Sequence, residues 1–167
     1  MNYVLAAAIL YGAFFLLCYL GTGGDEKNMK SFYSYPDAVQ EKLRQNPALY
    51  GMPPAKPSAL KSFMANLVLF TAVFLILWAA LGRAGFVRAF LYLLLVGQGL
   101  NLFDLLVIDA CWWRRSGRTR FTGIAEGTLY CGMGKHLAAF WRAVPMFACA
   151  ALLAAGAGSA ILSVIAP

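Results

Sequence analysis

The sequence predicts an all-α membrane protein: a bundle of four transmembrane helices with a short amphipathic surface helix in the first loop. Three observations predict it. Hydrophobic residues make up 61% of the 167-residue chain and charged residues only 13%, more apolar surface than a soluble domain of this length can hide. The apolar residues gather in four runs, each long enough for the ~20 residues at ~1.5 Å rise that cross a ~30 Å hydrocarbon layer. The bases that give the net charge of +7 cluster beside those runs instead of forming one stripe. That is the pattern of a topology signal, so a bilayer with anionic headgroups is the expected electrostatic partner and nucleic acid is not.

One membrane domain over 1–167 is expected. Span one is about Tyr3–Leu20, span two about Ser62–Leu81, span three about Phe86–Trp113 and span four about Leu137–Ile165. The start of the chain has no basic region and no small-residue cleavage pattern before Gly21, so span one is read as retained and not as a signal peptide. Spans two and three are joined only by "GRAGFVR" and form a tight hairpin. Span three is long enough to tilt or bend, with Gly97 and Gly99 as the expected bend.

Charge bias sets the direction. Loop 21–61 holds Lys27, Lys30, Lys42, Arg44, Lys56 and Lys61, and loop 114–136 holds Arg114, Arg115, Arg118, Arg120 and Lys135. The other side has only Arg83 and Arg88. Eleven against two puts both large loops in the cytoplasm and both termini outside it.

Within the first loop, "SYPDAVQEKLRQNP" predicts a short helix capped by Ser34 and closed by Asn46-Pro47. Tyr35, Val39 and Leu43 recur every four residues beneath a charged face. The stripe either lies on the membrane surface or covers the cytoplasmic end of the bundle, and the second reading is preferred. "YGMPPAKP" is a proline-stiffened connector into span two.

Span three carries the residues that most need an explanation. Gln98, Asn101 and Asp104 form a ladder at three-residue spacing, and Asp109 follows. Polar groups at such depth face protein or water, and an intramembrane acid is a functional residue by default. Gln98, Asn101 and Asp104 are therefore the expected ligand-binding residues. On an α-helix Asp104 lies ~140° from Asp109, and Asp109 is expected to form a structural ion pair with Arg142 of span four. The glycine-rich loop "FTGIAEGTLYCGMGKH" offers an anion or headgroup pocket from Arg114, Arg115, Arg118, Arg120 and Lys135. Glu126 and His136 would supply a proton relay there, with Asp109 beside them. The bland alternative is a re-entry turn with topology-setting arginines, and His136 as a cap for span four.

Other motifs fail on spacing. "NLFDLLVID" misses the prenyltransferase pattern by one position, and "GMGK" lacks the first glycine of a phosphate loop. His136 with Cys111, Cys131 and Glu126 has no metal-ligand spacing, and the four cysteines show no disulfide framework. No metal is assigned, and the cofactor is unknown. Small residues in span four, Ala150, Ala154 and Gly158 with Gly156 and Ala160, suit either internal packing or a homodimer face.

The F-D-x-x-V-I-D run, the arginine-rich turn, G-x-x-E-G, the Lys135-His136 pair and "YPDAVQEKL" together resemble a group of small bacterial four-span membrane proteins of uncharacterised activity. The resemblance covers most of the chain and implies the four-span architecture in a bacterial inner membrane; it implies no activity. The leading expectation is a transport-related or ligand- or lipid-binding protein. A membrane enzyme acting on an amphiphile at the cytoplasmic face is the alternative, and an accessory subunit the second.

Overall fold

A computed structural model of the chain describes residues 2–165 except Leu81, Arg83 and Ala125. The end of span two at Leu81 and the charge contribution of Arg83 therefore lie outside the described residues. The described residues are helical and contain no strand: α1 (Tyr3–Leu20), α2 (Asp25–Lys30), α3 (Asp37–Gln45), α4 (Pro47–Tyr50), α5 (Ala59–Ala80), α6 (Phe86–Phe103) and α7 (Gly134–Ile165). Between α6 and the second loop the chain continues as a π-helix over Asp104–Trp113. Four helices are long and apolar enough to cross a membrane, and their bounds follow the four predicted spans. The clearest shift is in α7, which starts at Gly134 and takes Lys135 and His136 into its first turn.

The chain divides into two compact units, one of residues 1–12, 57–102 and 141–167, the other of 13–56 and 103–140. In the first unit α5, α6 and α7 meet through aromatic and small residues. The Phe147 ring lies 4.6 Å from that of Phe70 and 6.2 Å from that of Phe74. A Cβ on Gly97 would come within 2.9 Å of Phe74 and 3.1 Å of Phe147, so this glycine makes room for rings. Bending was its expected role, but the irregular winding begins later, at Asp104. Ala150 and Ala154 are buried, and Gly158 lies under the Trp78 indole. That stripe is used inside the unit, whereas Gly156 has open space around it and Ala160 is exposed. Pro145 sits inside α7, where it removes a backbone donor. The Gln98 amide donates to the adjacent Val144 carbonyl at 2.9 Å.

The second unit has an aromatic core of the kind found in water-soluble domains. Phe32, Tyr35, Val39 and Leu43 are fully buried against Trp113, Phe121, Ile124 and Tyr130. The α3 stripe thus packs on protein, and its outer face carries exposed Glu41, Arg44 and Gln45. Ser34 does not cap this helix: it closes a 3₁₀ turn, and Pro36 precedes Asp37 with no side-chain cap bond. The fixed φ of proline sets the extended entry, and Asp37 in the first turn faces the positive end of the helix dipole. Asn46 flanks the helix at its other end, as the Asn-Pro pair predicts. Buried side chains tie the loops together. The Tyr35 hydroxyl donates to Thr119 O at 2.8 Å, and the buried Asn28 amide donates to Arg118 O at 2.9 Å and Arg120 O at 3.2 Å.

Candidate functional site

The π-helix decides which polar residues meet. Its hydrogen bonds run from i to i+5, so residues five apart stack as residues four apart do on an α-helix. Asp104 and Asp109 are five apart, and so are Asp109 and Arg114. A winding that α geometry would spread over ~140° therefore brings both carboxylates to one face. The wider winding also advances less per residue, so both acids sit nearer the loop end of the span than an α count gives.

His136 completes the group. Its Nδ1 lies 2.8 Å from Asp109 Oδ2, and its ring stands 6.3 Å, edge on, from that of Trp113. The imidazole is buried and the Asp109 side chain is only 13% exposed. Asp104 lies within electrostatic range of both Asp109 and His136. Cys18, a residue the sequence reading gave no role, lies within range of both carboxylates.

Several expectations are redrawn by this geometry. Asp109, expected to pair with Arg142, bonds His136 of its own unit. The early start of α7 makes His136 helical, while Arg142 lies further along the helix and is exposed. Gln98 is engaged with the Val144 carbonyl, which is a packing role, and Asn101 is buried. Of the three expected ligand-binding residues, Asp104 is the one that joins the acidic group. Glu126 and His136 do not form a relay, because Glu126 is exposed and bound to Lys42 at 2.7 Å.

The five bases of the second loop also part company. Arg118 donates through Nη2 to Thr22 O at 2.8 Å and Tyr19 O at 3.2 Å, and lies 4.0 Å over the Tyr19 ring. Arg120 lies 5.3 Å over Tyr130. Lys135 pairs with Asp37 at 2.6 Å and holds that carboxyl below its usual range. In the same unit, burial pushes the Tyr35 phenol well above its ordinary value. Arg114 and Arg115 line an open cleft with Ala110 and Cys131. All four cysteines are free thiols, and no three His, Cys, Asp or Glu side chains among the described residues are placed to hold a metal ion.

Fold and site together define an all-helical protein with four potential membrane spans and an acid–imidazole group at the end of the third. No known family model, curated protein or solved structure matches the chain.

Proposed function

We propose that this chain is a transport-related protein of a bacterial inner membrane, a four-span bundle with both large loops in the cytoplasm. Its proton-exchanging site is Asp104, Asp109 and His136. The observation that carries this reading is the stacking of Asp104 and Asp109 on one face of a π-helix, with His136 bonded to Asp109. Regular helix is the default in a span, and π segments recur at functional sites. Two carboxyls and an imidazole within electrostatic reach of one another are side chains able to carry a proton.

The test is proton uptake by sealed vesicles containing the purified protein and a pH-sensitive dye, driven by a potassium diffusion potential. Wild type is expected to acidify the lumen faster than protein-free vesicles. Asp104→Asn should fall to the protein-free rate while keeping the wild-type melting temperature. Wild-type uptake no faster than that of protein-free vesicles would overturn the reading.

One observation favours a second reading, an enzyme acting on an amphiphile at the cytoplasmic face. A carboxylate on Nδ1 leaves Nε2 to take or give a proton, as in acid–base pairs of hydrolases. In that case Asp109 and His136 would act without Glu126, and His136→Gln would abolish turnover with the fold intact.

A further inference from the structure

Charge alone explains why arginines follow a span; it does not explain a cleft. Arg118, Arg120 and Lys135 are spent on protein partners. Arg114 and Arg115 have no ion-pair partner among the described residues, and they line a cleft of about 180 Å³. The Arg114 Nε–H is buried with no protein acceptor among the described residues. A buried donor of this kind asks for an acceptor. Asp109 is engaged with His136, Asp37 with Lys135, and Glu126 with Lys42. No acid lines the cleft, so a concave surface carries two uncompensated guanidinium groups.

Position along the chain adds a second argument. The two arginines directly follow the last residue of the third apolar helix, Trp113, and basic residues at the end of a spanning helix lie at the headgroup level. Guanidinium is planar and donates through paired N–H groups, which matches the oxygens of a phosphate better than a lysine ammonium does. We infer that the cleft of Ala110, Arg114, Arg115 and Cys131 binds a phosphate group, carried by a lipid headgroup or by a free phosphorylated molecule. This site stands apart from the proposed proton chemistry and does not depend on it.

Cys131 provides a reporter, because it is exposed and lines the cleft, while the exposed Cys111 is absent from the lining. The experiment follows alkylation of each cysteine by a neutral maleimide, using peptide mass spectrometry on the full chain in a neutral detergent. The probes are short-chain phosphatidic acid, short-chain diacylglycerol and inorganic phosphate. At a probe concentration near ten times its Kd, a filled cleft should slow modification of Cys131 by roughly tenfold and leave Cys111 unchanged. Protection by phosphatidic acid but not by inorganic phosphate assigns a lipid headgroup; protection by both assigns the phosphate itself. The double variant Arg114→Lys/Arg115→Lys keeps the charge and should lose the protection at an unchanged melting temperature. The inference is overturned if neither phosphatidic acid nor inorganic phosphate protects Cys131. It is equally overturned if diacylglycerol, which has no phosphate, protects as well as phosphatidic acid, or if the double lysine variant is protected like wild type.

Discussion

Leu95 and Leu43 are the same residue, and the molecule treats them in opposite ways. Leu95, in the unit that contains α5, is 72% exposed, while Leu43 of the loop unit has no exposed surface. Other residues repeat the contrast. Val68 and Ile76 also face outward from α5, whereas Phe32, Tyr35 and Val39 are sealed inside the loop unit. In water, burying such side chains is the main force that holds a fold together. Lipid tails are as apolar as leucine, so helices there must be held by close packing and hydrogen bonds. The span-rich unit has those devices: Gly97 beneath two phenylalanines, Gly158 beneath Trp78, and Gln98 on the Val144 carbonyl. One chain thus uses two different ways of staying folded.

The sharpest way to break this comparison is to truncate one buried and one outward residue. Tyr35→Ala should cost about 3–5 kcal/mol, the range for large buried aromatics. Leu95→Ala should stay within about 0.5 kcal/mol, as an outward substitution does. Thermal unfolding in detergent, read with hydrogen exchange to locate the loss, checks both, and equal costs would end the distinction. Next in size is Gly158→Leu, which pushes a side chain into the Trp78 indole and should cost about 1–3 kcal/mol. Gly156→Leu, two residues away with nothing within 4 Å, is its control and should be close to neutral by the same melt.

The smallest effect belongs to the surface of the loop unit. Lys135 holds the Asp37 carboxyl below its ordinary value of 3.8, through a hydrogen bond and its charge. A depressed carboxyl stabilises the fold above its unfolded value, and the contribution disappears as pH falls through the folded value. The difference between wild type and Asp37→Asn in acid melts should therefore be present at neutral pH and close in strong acid. It should be small, since the pair is in water and the Asp37 side chain is 91% exposed.

The four long apolar helices were legible because ~20 apolar residues in a row have few other uses. The Tyr35, Val39 and Leu43 stripe was legible from its period, and all three residues are buried. Two things were hard to read. Asn28 looks like an ordinary loop residue, and nothing local announces that its amide ties two distant loops together. The placing of Asp104 and Asp109 on one face is not legible at 100° per residue, the winding of a regular α-helix. A signal is present all the same: Asp104, Asp109 and Arg114 recur at five-residue intervals, the hydrogen-bond spacing of a π-helix and not of an α-helix. Likewise His136 was weighed as a cap, because α7 was expected to begin one residue after it.

The proposed site requires Asp104, Asp109 and His136 to form one group, and the chain offers a clean reporter of that. His136 is the only histidine, so ¹⁵N-histidine labelling gives a signal from a single residue. Its ring-nitrogen shifts would be recorded at one fixed pH in the reconstituted protein. Asp109→Asn is expected to change the Nδ1 signal outright. Asp104→Asn, five residues away, is expected to move the ring-nitrogen signals as well. Signals unmoved by Asp104→Asn would put that residue on another face of the helix and contradict the grouping.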